Sequence, residues 1–469
     1  MSSERQYIEL YQQTFQLIKE HSAAPMNEVR DAAFENFQRL GFPSRKVERY
    51  RYIDMDKLFA PDYGLNLNRL EIPVDPYEAF RCDVPNLSTS LYFVVNDSFH
   101  NKDIPQTAVS SSQRQSVNDG FFKKSLPQAS LPEGVIVDSL CDVASQHPDL
   151  VKPYYSRLAS TADDSVTALN TMLAQDGLLV YVPKNVKVER PIQVLNILRS
   201  NVDLMVNRRV LIVLEQGAEA KFLFCDHAAD DRQFLTTQVI EAYVGDNASL
   251  ELNCLEETHL KSVRVSNVYI EQQANSRVNH NVITLHNGTT RNSLDLMLKG
   301  EGASCRCNGC VIADKDQHVD NNTLIDHQAG HCDSEELYKY VLNDNAVGAF
   351  AGKVLVRHGA QKTSSRETNQ NLCSSKSARM YTQPMLEIYA DDVKCAHGST
   401  VGQLNDAALF YMQQRGISRE EAKLLLQLAF INEVIDKMEL APLRDRLHHL
   451  VEKRFRGELN KCEGCKLCK

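Results

Sequence analysis

The sequence predicts a mainly β chain in which a repetitive sheet region is held between two helical ends. Three observations carry this. From Gly177 onward, β-branched and aromatic runs such as Leu178 to Val182, Val210 to Leu214 and Val268 to Ile270 recur between small-residue turns, the pattern of successive strands. A small or turn-forming residue followed by alanine returns at Ala218, Ala248, Ala274, Ala303, Ala329, Ala346, Ala360 and Ala378, spacings that fit one or two strands per step. Both ends of the chain instead space their apolar residues by threes and fours. Quasi-repeats of this kind favour a solenoid in which each coil stacks on the last. On pattern alone an antiparallel sandwich stays open.

Taken in order, Ile8, Tyr11, Phe15 and Ile18 lie on one helical face, and a second amphipathic stretch from Asn27 to Leu40 is stopped by Gly41-Phe-Pro43. Between about residue 85 and residue 165 the pattern is weak and polar, and Ser110 to Ser116 reads as loop. Residues 1–165 are therefore expected to form a largely helical N-terminal domain with loops, and 166–403 the repetitive core. Beyond it, Asn405-Asp406 can cap a helix ending at Gly416, and Ser418 with Glu421 forms a capping box. Leu424, Leu428, Ile431, Ile435 and Met438 then make one apolar stripe, and Pro442 can open a last helix. This gives a C-terminal helical domain over 404–456 and a cysteine-rich tail over 457–469.

A chain of 469 residues, 43% hydrophobic and 24% charged, has the composition of a soluble globular protein. Its net charge of -9 argues against general nucleic-acid binding, which needs a basic surface. No run of about 18 apolar residues suggests a membrane span, and the first residues do not read as an export signal. The expected location is cytoplasmic. Thirteen cysteines in such a compartment are free thiols, metal ligands or sulfur carriers rather than disulfides.

The most distinctive stretch is Ala390-Asp-Asp-Val-Lys-Cys-Ala-His-Gly-Ser-Thr-Val-Gly402. On a strand Cys395 and His397 share a face, because side chains repeat every two residues. Without a fixed Asp or Asn partner the pair is not a catalytic dyad, and both residues could equally fill structural positions. Cys305, Cys307 and Cys310 form a second cluster, with His331-Cys332 one repeat later. They are candidate ligands for zinc or an iron-sulfur cluster, or small fillers of a solenoid core. At the C-terminus Cys462, Cys465 and Cys468 have the C-x2-C-x2-C spacing by which three thiolates converge on one metal, though the tail lacks a fourth ligand. Two other motifs are dismissed. The stretch from Gly348 to Val354 is one residue short of a phosphate loop and lacks the Ser or Thr that reaches magnesium. Gly300-Glu-Gly302 lacks the third glycine of a dinucleotide fingerprint.

The Cys395–His397 stretch, with Leu409 to Ile417 and Glu421-Ala422 after it, resembles the SufB/SufD family of iron-sulfur cluster assembly subunits. The resemblance is strong over residues 365 to 430. It extends weakly to Gly41 through Tyr52, where Tyr50 stands in a position commonly held by Trp. Cys-Ala-His-Gly and Thr382 to Ile388, with Gln383 for the usual Lys, favour the SufD form over the SufB form. The resemblance implies a right-handed parallel β-helix flanked by α-helical domains, which decides against the sandwich. It also implies a non-catalytic assembly subunit that pairs with a SufB-like paralogue and docks a SufC-like ABC ATPase on its C-terminal helices. A transient iron-sulfur cluster or iron would then pass through the shared interface. His397 is the first expected interface residue and Cys395 the second, since an imidazole there can take up iron or pass a proton to sulfur. Three further readings stay open: a homodimer, a polysaccharide-acting β-helix enzyme, and a stand-alone thiol metal-binding protein built on the tail.

Overall fold

Short strands with alternating side chains have two faces to bury, and this chain does so by winding into coils. The computed structural model describes residues 3–70, 72, 89–100 and 131–459. Three short strands come first: β1 (Ser90–Val95), β2 (Ser98–His100) and β3 (Ile136–Ser139). The solenoid follows as β4 (Leu178–Val182), β5 (Ile192–Leu198), β6 (Leu204–Leu214), β7 (Glu219–Ala228), β8 (Phe234–Val244), β9 (Ser249–Glu257), β10 (Ser262–Gln272), β11 (Arg277–His286), β12 (Thr289–Leu298), β13 (Ser304–Ala313), β14 (His318–His327), β15 (Asp333–Leu342), β16 (Val347–Val356), β17 (Ser364–Cys373), β18 (Arg379–Ile388) and β19 (Lys394–Gly402). Even strands from β4 to β18 stack in parallel in one sheet, and odd strands from β5 to β19 in the other. Each even–odd pair is one coil, giving eight coils of a parallel β-solenoid.

β1 adds to β5 in parallel and β3 to β4 antiparallel. Strands from before residue 166 therefore extend both sheets, although the sequence placed them in the helical N-terminal region. Their runs are short, and long connections separate them from the repeat. Within the repeat, turns use residues in the left-handed region at Gly217, Asn247, Asn275 and Gly302, all with positive φ. Ala218, Ala248 and Ala303 directly follow three of these and are buried. The recurring alanine of the sequence is thus the small residue that closes a coil corner.

Parallel sheets need cover on both faces. The outer face of the even sheet is covered by α1 (Glu4–Glu20), α3 (Arg30–Leu40) and α7 (Ser165–Leu173). There Tyr11, Phe37, Leu169 and Met172 pack on Met205, Leu235 and Val265. The outer face of the odd sheet is covered by the C-terminal helices α9 (Arg419–Ile435) and α10 (Ala441–Phe455), with α8 (Asp406–Gln414) before them; α2 (Ala24–Asn27), α4 (Met55–Phe59), α5 (Leu140–Gln146) and α6 (Pro148–Val151) are short. Ile431, Val434, Leu447 and Val451 meet Leu223, Leu255, Ile283 and Val341. Most of the apolar stripe expected from the sequence is thus spent within the chain. Caps fall where the sequence puts them: Asn405 accepts from Ala407 and Ala408 amides, and Ser418 from the Glu421 amide. No helix among the described residues is long and apolar enough to cross a membrane.

Candidate functional site at the open end of the solenoid

In-register parallel stacking puts equivalent residues of successive coils in columns about 4.8 Å apart. One inward-facing column of the odd sheet reads Ile192, Phe222, Leu252, His280, Cys307, Glu336, Glu367 and His397. Its neighbour reads Ala220, Leu250, Val278, Cys305, Ser334, Ser365 and Cys395. Cys395 and His397 therefore do share a face, and that face is the lumen. β19 is the last strand of its sheet, so both lie at the open mouth. His397 is exposed and Cys395 half-buried. Burial pushes the Cys395 thiol up, partly opposed by a backbone hydrogen bond from the Ser365 strand, which favours the thiol over the reactive thiolate.

The mouth is braced from both sheets. Thr382 and Ser399 hydroxyls hydrogen-bond at 2.6 Å across the lumen. Outside, the segment from Gly41 to Tyr52 runs over the even sheet. Arg49 pairs with Asp295, Arg291 donates to the Arg49 carbonyl at 2.6 Å, and its guanidinium sits 4.3 Å from the Tyr50 ring centre. Farther on, Tyr52 stacks on Tyr381 at 4.9 Å, and the Gln383 amide donates to Glu48 at 3.0 Å. This N-terminal element, about 330 residues away in sequence from Gln383, therefore holds the edge of the last β18 strand. Sequence reasoning flagged the segment without showing what it touches.

The internal cysteines separate. Cys305 and Cys307 face the lumen, among Val278, Tyr338 and Phe350, whereas Cys310 faces outward onto the C-terminal helices. An odd spacing on a strand points to the opposite face, so the three do not converge. Cys332 lies in a corner, its thiol donating to the Gly300 and Gly330 carbonyls at 3.4 Å. No group of three His, Cys, Asp or Glu among the described residues is placed to hold a metal ion. Cys462, Cys465 and Cys468, like Ser110 to Ser116, lie outside the described residues. The phosphate-loop look-alike lies within β16, with Lys353 paired to Glu387, so it forms no loop.

Deeper in the lumen are polar residues that sequence reasoning missed. Asp226 pairs with Arg208 at 2.7 Å and with Arg264 at 3.0 Å, all nearly sealed from solvent. Beside them the Thr290 hydroxyl donates to Glu256 at 2.8 Å, and burial pushes that carboxyl up to about 7 against the pull of Arg264. His280 is pushed down to about 4 by burial and then by Arg264. Closer to the mouth the Thr323 hydroxyl donates to Glu336 at 2.7 Å. A Cβ on Gly352 would stand 2.5 Å from a Glu367 carboxyl oxygen, so the missing side chain leaves the space into which that carboxyl reaches. Alternating polar residues in these strands were visible in sequence, but not which face was inward.

The SUF-system iron-sulfur cluster assembly core-domain family (SufBD core) matches residues 197–430, and the SufBD N-terminal region matches 1–113 and 104–194. The chain is 26% identical over 438 residues to an iron-sulfur cluster assembly SufBD family protein of Synechocystis, covering 90% of this chain and 89% of that one. It is 29% identical over 293 residues to the iron-sulfur cluster assembly protein SufD of Escherichia coli, covering 62% and 69%. Against SufD of Bacillus subtilis it is 27% identical over 327 residues, covering 69% and 75%. With its N-terminal region, its solenoid and the start of its C-terminal helices matched, the chain belongs to the SufBD family of iron-sulfur cluster assembly proteins.

Proposed function

We propose that this chain is a SufD-type, non-catalytic subunit of a cytoplasmic iron-sulfur cluster assembly complex. It pairs with a SufB-like paralogue through the open mouth of the solenoid and takes a SufC-like ABC ATPase on its C-terminal helices. Iron or the nascent cluster is cargo at the shared face, where His397, with Cys395 beside it, is this chain's contribution. The observation that carries the reading is the placement of His397 at the uncovered end of the lumen column, within the stretch most like SufD. Around it Tyr381, Ile388, Tyr389 and Val401 are exposed, as befits a surface that meets another protein. On the C-terminal domain Phe410 and Tyr411 of α8 and Leu425 of α9 are exposed, a second apolar surface suited to the ATPase.

The test is anaerobic affinity purification of the tagged chain with mass spectrometry of what accompanies it. Recovery of an ABC-type ATPase and a homologous solenoid protein is expected, and His397→Ala should lower cluster yield of the complex with folding intact. The chain purifying alone with stoichiometric iron or zinc would overturn this reading and move function to Cys462, Cys465 and Cys468. Size-exclusion chromatography of the isolated chain separates a homodimer from a monomer.

A further inference from the structure

On the outside of the odd sheet a groove of about 780 Å³ crosses seven rungs, from Lys187 to Ser364, beside Glu439 just after α9. At about 4.8 Å per rung it is about 29 Å long, the span of about nine extended residues. Val278 and Cys305 face the lumen, so their neighbours face out, and the middle of the groove is a square of donors: Arg277 and Asn279 on β11 against Ser304 and Arg306 on β13. Diagonal neighbours on one face lie within reach of long side chains, so both guanidiniums can close on one group. The Arg277 side chain has no ion-pair or hydrogen-bond partner among the described residues. Arg306 meets Glu335 only at 3.8 Å, and Glu335 has Lys437 closer, at 3.2 Å. On the other side Glu251 accepts from Asn253 at 3.1 Å and has Lys221 at 3.5 Å. Asp333, exposed one rung beyond Ser304, has no ion pair among the described residues and marks the edge of the donor-rich patch. Asn279 is 7% exposed, and neither its carboxamide oxygen nor its nitrogen has a hydrogen-bond partner among the described residues. Two residues on, Asn281 donates to Asn253 and accepts from Asn308, both at 2.8 Å. The same strand thus satisfies one buried carboxamide and leaves the other unpaired, which costs stability unless something arrives to pair it.

From this arrangement we infer that the groove binds an extended acidic peptide, with one of its carboxylates held between Arg277 and Arg306 and a main-chain amide paired with Asn279. Guanidinium groups suit a carboxylate because their planar fork matches its two oxygens, and the Ser304 hydroxyl adds a donor beside them. Asn279 narrows the ligand further. A simple anion offers acceptors and leaves the Asn279 oxygen unpaired, whereas a peptide unit presents an N–H and a C=O together and satisfies both ends of the carboxamide. The length of the groove points the same way, since a compact ligand would fill only two or three of its seven rungs. This surface is separate from the solenoid mouth and from the exposed Phe410, Tyr411 and Leu425, and the inference does not depend on the function proposed above.

The test is fluorescence anisotropy of the full-length purified chain with a fluorescein-labelled octapeptide of alternating Ser and Asp, beside its Ser-Asn and Ser-Lys counterparts. The acidic peptide should bind saturably and the other two should not. Arg277→Ala and Arg306→Ala should each weaken it about tenfold or more, whereas Arg232→Ala, which removes an exposed cation in the corner between β7 and β8, should change it less than about twofold. Arg277 and Arg306 are exposed, so wild-type melting of their variants serves as the folding control. Asn279→Leu should weaken the peptide about threefold or more while melting at or above the wild-type temperature, because it removes an unpaired buried group. No saturable binding of the acidic peptide, or equal losses in Arg232→Ala and Arg277→Ala, would overturn the inference. Citrate or inorganic phosphate binding as tightly as the peptide would make the square a small-anion site and overturn the peptide assignment. Because these readouts need no other subunit, a failed co-purification would sink the proposed function and leave this result standing.

Discussion

The first and last rungs of one lumen column share a register but bury different side chains. In one column Ile192, Phe222 and Leu252 give way to His280, Cys307, Glu336, Glu367 and His397. The early rungs are what a solenoid needs, apolar side chains interdigitating to exclude water. The later rungs cost stability, because buried polar groups give back hydration that few partners replace. A fold that can fill its lumen with Phe and Leu, and does so for three rungs, has no structural need for stacked glutamates in the same positions. Their position below the mouth therefore points to function.

Breaking the paired part of the polar interior should have the largest effect. Asp226→Ala leaves Arg208 and Arg264 buried without their shared carboxylate, which should cost about 3–5 kcal/mol in chemical denaturation. Asp226→Asn, which keeps hydrogen-bonding capacity, should cost less. On the apolar side, Phe222→Ala empties space beside Phe224, whose ring centre is 6.1 Å away, and should cost about 3–5 kcal/mol. Nearly equal losses would show that the charged and the apolar groups of the lumen both support the fold. If Asp226→Ala were instead neutral, the polar interior could not be a tightly coupled network.

The carboxyls sharpen the contrast through pH. Glu256, Glu336 and Glu367 are all raised by burial, so the folded chain holds protons that the unfolded chain has released. The stability this contributes is fully present below the unfolded glutamate value and is lost as pH rises through the folded values. From about pH 5 to pH 8 wild-type stability should therefore fall, and Glu336→Gln with Glu367→Gln should flatten that fall by about 1–3 kcal/mol. A parallel profile in the double variant would mean that the pair is ionised. The apolar-side variant Phe222→Ala should lower the whole curve without changing its slope.

Much of this fold is legible in sequence because its signals are local. The alanine corners, the capping residues Asn405 and Ser418, and the strand runs each depend on neighbours a few positions away. The spacing of Cys395 and His397 likewise fixed their common face. What sequence could not supply was stacking. The offset between rungs varies, 27 residues from His280 to Cys307 and 31 from Glu336 to Glu367, because corners differ in length. Nothing in the linear order therefore announces that Glu336, Glu367 and His397 form one column. For the same reason Cys305, Cys307 and Cys310 look like a ligand set until strand parity separates them. The Gly41 to Tyr52 segment shows the opposite limit, a recognisable motif whose contacts with Asp295 and Gln383 depend wholly on tertiary structure.

The smallest expected change in stability belongs to the residue with the largest proposed role. His397 is exposed at the last rung, and among the described residues no strand pairs with β19 on its other side. His397→Ala should therefore shift unfolding by no more than about 0.5 kcal/mol, as for other surface substitutions. One rung inward, Glu367 is sealed, and its replacement acts on the pH dependence of stability. Two adjacent positions in one column thus separate into one whose substitution registers in assembly and one whose substitution also registers in folding. If His397→Ala were strongly destabilising, the imidazole would be part of the lumen's packing, and the polar column would end at Glu367 as a buried structural feature with no opening to a partner. If stability is kept while cluster yield falls, the polar rungs of this column end in a group used outside the chain, and that use accounts for a column that becomes less apolar towards its open end.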